Sequence, residues 1–141
     1  MSQQFAFKSI GKNVRIDPTA LFFNPENISI GDNVRIDAHV VISAGTEQGV
    51  TIGDHVHIAC GCYLFGAGGI ILEDFSGLSG RVMIYSATDD YSGESLTNPT
   101  VPDEYTNVHK ALVTLKKHVI IGAGTVILPG VTFGTGSACA A

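Results

Sequence analysis

Leu115 to Val131, LKKHVIIGAGTVILPGV, obeys one spacing rule without a break. Leu115, Ile121 and Ile127 recur at every sixth residue, Gly122 directly follows one of them, and Val119, Thr125 and Val131 stand four positions after each. This is a hexapeptide repeat with an aliphatic first slot and a small or branched fifth slot.

Extending the rule outward recovers most of the chain; internal repeats are sought before helices or strands because missing them misassigns the whole fold. The first slot is filled by Ile10 and Ile16, by Ile30, Ile36 and Ile42, by Ile52, Ile58 and Leu64, by Leu72, Leu78 and Ile84, and again from Leu115 to Phe133. Gly or Asp often follows it, as at Gly31, Asp37, Gly53 and Gly122. The register slips at residues 22–27, at 47–51 and near 69–71.

Six residues supply one short strand and one turn, with the first-slot side chain pointing inward. Three such units close a triangular coil. One coil cannot bury its own interior, so stacked coils must make the core. Gly or Asp after the aliphatic is expected to serve turns that need unusual backbone angles or a side-chain cap. Aliphatics at every sixth residue do not follow the three-to-four spacing of an amphipathic helix. The fold expected is all-β, a parallel solenoid with very little helix.

At 141 residues, 45% apolar and 15% charged, the chain is read as one domain, 1–141, with ample material for a core. A net charge of −5 leaves no basic footprint for nucleic acid. No apolar run is long enough for a membrane span, and the N-terminus lacks the pattern of a signal peptide. Cys60, Cys62 and Cys139 are an odd count that fits reduced thiols and a cytoplasmic location.

Residues 89–111, DDYSGESLTNPTVPDEYTNVHKA, interrupt the hexads with a polar loop containing Pro99 and Pro102. Long loops in compact domains are usually functional or disordered, so the chemistry is sought there first. The last hexad opens at Cys139 and stops two residues later, which suggests a C-terminally shortened version of a longer chain.

IGDNVRID (30–37), IGDHVHIA (52–59) and above all HVIIGAGTVILPGV (118–131) resemble the left-handed β-helix hexapeptide-repeat acyltransferases. The nearest likeness is to bacterial sugar O-acetyltransferases of the galactoside and maltose type. The resemblance covers Ile10 to Ser137 and implies a left-handed coil, a homotrimer, acetyl-coenzyme A between neighbouring coils as co-substrate, and a histidine as general base. That histidine usually sits in a Gly-His-Pro segment at the loop entrance; here Thr88, Asp89 and Asp90 stand in its place.

His109, at the return of the loop, is therefore either the general base or a solvated loop histidine. Asp89 is either a carboxylate base, an orienting partner for His109, or a turn cap. Tyr85, Ser86, Asp90 and Tyr91 are expected to face the acceptor. Ile120, Ala123 and Gly124 are expected to contact the coenzyme, because small residues there let the pantetheine lie close. His39, His55, His57 and His118 take outward slots and read as surface or subunit-contact residues. Zinc enzymes of the γ carbonic anhydrase class share this fold, but the histidine spacing here differs from theirs, and no metal is expected.

The function expected is transfer of an acetyl group from acetyl-coenzyme A to a sugar hydroxyl of a surface-polysaccharide precursor. Two alternatives stand beside it. A nucleotide-linked amino-sugar N-acetyltransferase would need no strong base, since a neutral amine is already nucleophilic. A trimeric solenoid without catalysis would explain the absent histidine.

Overall fold

The computed structural model describes residues 5–141, and in it the chain winds into a left-handed parallel β-helix. Sheet A collects Ser9–Ile10, Ile28–Ile30, Val50–Ile52, Ile70–Leu72, Val113–Leu115 and Thr132–Phe133. Sheet B collects Arg15–Ile16, Arg35–Ile36, His57–Ile58, Gly77–Leu78, Ile120–Ile121 and Ala138–Cys139. Sheet C collects Leu21–Phe23, Val41–Ala44, Tyr63–Gly66, Met83–Tyr85 and Val126–Ile127. The only helical pieces among the described residues are two single 3₁₀ turns, Pro25–Asn27 and Asp103–Tyr105.

The first-slot aliphatics stack in register through the axis. On sheet B, Ile36, Ile58, Leu78 and Ile121 are successive Cα partners, and all four are buried. Ile42, Leu64, Ile84 and Ile127 do the same on sheet C. Each such side chain contributes about 1.5–3 kcal/mol when taken from water. The fifth-slot residues Val34, Val56, Cys62, Val82 and Val119 fill the corners between sheets. At the N-terminal end, Phe5 and Phe7 close the first coil, with ring centroids 4.8 and 5.0 Å from Phe22.

The Gly-Asp pairs owe their place to crowding rather than to backbone angle. A Cβ on Gly31 would collide with the Asp54 carboxylate of the next coil, and one on Gly53 with Asp74. Those carboxylates form a ladder: the amide of Asp32 donates to Asp54 Oδ1, and that of Asp54 to Asp74 Oδ1, each at 2.8 Å. Positive φ falls instead two residues past the glycine, on Asn33 (57°) and His55 (56°), and on their counterparts Asn13, Phe75 and His118.

Every long departure from the hexad occurs where sheet C hands over to sheet A. Residues 24–27, 45–49, 67–69 and the loop of 89–111 all leave from that one corner. The loop is rooted by a short antiparallel ladder, Ala87–Thr88 against His109–Lys110, with Thr88 opposite His109.

Candidate functional site

The outer side chains of sheet C and the loop root enclose a cavity of about 400 Å³ lined by Tyr85, Thr88, Asp89, Tyr91, Val126 and Leu128. Strand Met83–Tyr85 delivers Tyr85 outward, where its ring stacks on Phe65 at 4.9 Å and 20°. Asp89 is half-buried at the rim, and its carboxylate makes no hydrogen bond among the described residues. Tyr91 stands almost fully exposed beside it. The cavity thus joins one uncommitted negative charge to two aromatic rings.

The remaining expected site residues are dispersed. His109 lies opposite Thr88 on the loop root, is exposed, and has no hydrogen bond to Asp89, so the two do not form an oriented pair. Asp90 is committed to the loop itself: its Oδ1 accepts from the Ser92 amide at 2.9 Å and its Oδ2 from Asn107 at 3.4 Å. The Ser92 bonds, foremost the backbone one, hold the Asp90 carboxyl below its ordinary range.

Ser86 needs correction. It was expected to face the acceptor but is completely buried, because it staples the corner between sheets C and A. Its hydroxyl donates to the Phe65 carbonyl at 2.7 Å and accepts from the Gly68 amide at 2.9 Å. Both hydrogen-bonding roles are therefore spent inside the fold.

Ile120, Ala123 and Gly124 are exposed, on sheet B and the corner that follows it. Gly124 adopts φ 75°, a conformation that strains other residues, and its amide donates to the Gly80 carbonyl at 3.0 Å. The ridge leads directly into strand Val126–Ile127, whose Val126 lines the Asp89 cavity.

A polar cluster that the sequence reading passed over lies on the outer face of sheet B. Asp37 accepts from Arg35 Nε at 2.9 Å, while its Oδ2 lies 2.8 Å from Nε2 of His57 in the next coil. Arg35 foremost, and then His57, hold the Asp37 carboxyl below its ordinary range. Ser79 lies further up the same face, half-buried. A scan for pairs one coil apart would have found Asp37 and His57, which are 20 residues apart. Among the described residues, no group of three His, Cys, Asp or Glu side chains is assembled as a metal site, and no helix is long and apolar enough to cross a membrane.

No protein-family model matches the chain. It is 47% identical over 139 residues to dTDP-4-amino-4,6-dideoxy-D-glucose acyltransferase of Escherichia coli, covering 99% of this chain and 72% of that one. It superposes with a TM-score of 0.89, at 47% identity, on AntD, an N-acyltransferase from Bacillus cereus, in complex with dTDP and 3-hydroxybutyryl-CoA. That match covers 96% of this chain and 70% of the other. A serine-to-cysteine variant of AntD in complex with dTDP-4-amino-4,6-dideoxyglucose and coenzyme A gives a TM-score of 0.88 at 47% identity, covering 94% and 69%. AntD has also been solved with an aspartate substituted, ten positions beyond that serine.

These matches overturn the expectation of O-acetylation of a polysaccharide precursor. The relatives are amino-sugar N-acyltransferases, not galactoside or maltose O-acetyltransferases. Thr88, Asp89 and Asp90 stand in the segment where the resemblance to O-acetyltransferases calls for a histidine. A neutral amine presents its own lone pair to the thioester, whereas a hydroxyl must be deprotonated as it attacks.

Proposed function

The chain belongs to the β-solenoid acyltransferase family that contains dTDP-4-amino-4,6-dideoxy-D-glucose acyltransferase, and from that membership we propose that it acylates the amino group of a dTDP-linked 4-amino-4,6-dideoxy sugar. It is an acyltransferase, and acyl-coenzyme A is its co-substrate. The acyl group is acetyl or a short hydroxyacyl such as the 3-hydroxybutyryl carried by the AntD complex. The reaction runs in the cytoplasm, consistent with the free state of Cys60, Cys62 and Cys139.

Asp89 carries this reading. It is an unpaired carboxylate in a cavity of about 400 Å³, suited to hold an ammonium group rather than to deprotonate a hydroxyl. The serine and aspartate substituted in AntD are ten positions apart, and in this chain only Ser79 and Asp89 form a serine–aspartate pair with that spacing. We assign both to the acceptor site. Tyr85 and Tyr91 flank the sugar, and the small residues Ala123 and Gly124, with Ile120 beside them, let the pantetheine lie close to the coil. His109 serves at the rim of the same site, approaching from the loop. The amine nitrogen attacks the thioester carbonyl directly, and backbone amides stabilise the oxyanion.

Ser79 and Asp89 occupy different corners of one prism, so each site draws on two copies. A homotrimer supplies this, with the outer face of sheet C as its contact. Leu21, Phe23, Tyr63, Val126 and Leu128 are all exposed on that face, more apolar surface than a lone protomer normally leaves to water.

The test is thiol release from acetyl- or 3-hydroxybutyryl-coenzyme A with dTDP-4-amino-4,6-dideoxyglucose as acceptor, set against the 4-hydroxyl analogue. Transfer to the amine alone is expected, with Asp89→Asn raising the acceptor KM about tenfold, equivalent to one lost charge-assisted contact. No thiol release with the amine under any acyl donor overturns the assignment.

A further inference from the structure

Along the outer face of sheet B the outward side chains in register are Arg15, Arg35, His57, Gly77 and Ile120. Gly77 interrupts this column with a gap. Nothing in the fold demands glycine there: its φ is not in the left-handed region, and an added Cβ would meet only the His57 carbonyl oxygen, at 3.9 Å. Glycine in a strand costs backbone entropy and packs nothing, and it often marks a point where a ligand comes close. The gap is floored by His57, roofed by Ile120 and flanked by Ser79, which alternates to the same side of the chain two residues on.

Asp37 fixes the orientation of the His57 ring. His57 Nε2 lies 2.8 Å from Asp37 Oδ2, and in the tautomer that donates there Nδ1 is the lone-pair nitrogen, which no other group engages among the described residues. The charged groups facing the ring come from the coil below: Asp37 and Arg35, with Arg15 and Asp17 beyond them. In the coil above, the residue in register with His57 is the uncharged Gly77.

Resting on the acceptor assigned above, we propose that the notch over Gly77 seats the amino-bearing carbon of the sugar and that His57, positioned by Asp37, takes the proton that activates the amine. The acceptor arrives as an ammonium ion. It gives one proton to His57 Nδ1, and the freed lone pair forms the C–N bond while the carbonyl electron pair moves to oxygen. The oxyanion collapses, the C–S bond breaks, and the second nitrogen-bound proton passes to the departing thiolate. His57 then returns its proton to water, so the products are amide, free coenzyme A thiol and one released proton.

Gly77→Val fills the notch with a side chain that strands favour. The expected result is an unchanged melting temperature and unchanged assembly mass, with the acceptor KM raised at least tenfold. His57→Gln should lower kcat tens of fold at neutral pH. That deficit should shrink as pH rises through the amine's own pKa, because solution then supplies the free amine. Asp37→Asn should show a smaller deficit with the same pH dependence, and Asp37→Glu should partly restore the rate.

The unmodified protein is assayed first. If it transfers no acyl group to the dTDP-amino sugar, the functional assignment falls and this inference with it. If it is active, normal kinetics in Gly77→Val, or a pH-independent deficit in His57→Gln, overturns the notch alone. Loss of assembly or of thermal stability in Gly77→Val also overturns it, because the glycine would then serve packing.

Discussion

The ring of Phe75 lies flat against that of His118, with centroids 5.0 Å apart and planes within 7°. His55 continues the stack from below at 4.8 Å and 2°. All three residues hold positive φ at the corner between sheets A and B, a conformation uncommon outside glycine and least suited to the bulky Phe75. The stacking therefore helps to hold a strained corner in place.

Phe75→Ala removes both ring contacts without relieving the backbone. It should destabilise the protein by about 1–3 kcal/mol, two aromatic pairs at the usual strength. Thermal or urea unfolding reads this directly, and an unchanged midpoint would mean that the stack contributes nothing.

Ser76 fills a fifth slot that neighbouring coils give to Val56 and Val119, and its buried hydroxyl has no hydrogen-bond partner among the described residues. Burying a polar group unpaired costs about 1–3 kcal/mol. Ser76→Ala should accordingly raise stability by about 1 kcal/mol after the lost packing is set against the relieved hydroxyl. A loss of stability in the same unfolding assay would show that the hydroxyl is satisfied in solution.

Cys60 is exposed and Cys62 completely buried, two residues apart. Burial pushes the Cys62 thiol up to about 11, so little thiolate exists near neutrality. Alkylation at about pH 8, near the pKa of a free thiol, should label Cys60 within minutes and leave Cys62 untouched until the chain is unfolded. Mass spectrometry of the peptide that holds both sites separates the outcomes.

Asp90 has its folded pKa lowered by its bonds to Ser92. A depressed carboxylate stabilises above its unfolded value and loses that contribution as pH falls through the lowered folded value. The loop turn should thus stay formed across the neutral range and open only in acid. The Ser92 amide resonance should titrate with a midpoint below that of an unstructured aspartate, near ~3.9. A midpoint at or above that value would dissolve the proposed link.

The hexad made the solenoid readable because Leu115, Ile121 and Ile127 are a one-dimensional record of which side chains face the axis. The outer faces leave no such record. Asp37 and His57 meet only because Ile36 pairs with Ile58 across neighbouring coils, and that register depends on where the extra residues of each coil are spent. Ser86 was misread for a related reason. A serine beside the loop looks available to a ligand until the chain turns its hydroxyl toward Phe65 and Gly68. Asp89 was singled out by position alone, because it stands where the resemblance expects the base, and its place in the acceptor site is a proposal.

Concentrating every long departure at the corner from sheet C to sheet A divides the protein into an invariant ruler and an editable margin. Residues can be added or removed there without shifting the inward register of any sheet, since each coil regains its pairing before the next strand of sheet A begins. The loop of 89–111 is one such edit, and Asp89 rides on it. Substrate preference in such a molecule is free to diverge by changes of length at one edge while the thermodynamic unit beneath stays constant. The same edge is where a foreign binding segment could be spliced into this scaffold with the least cost to folding.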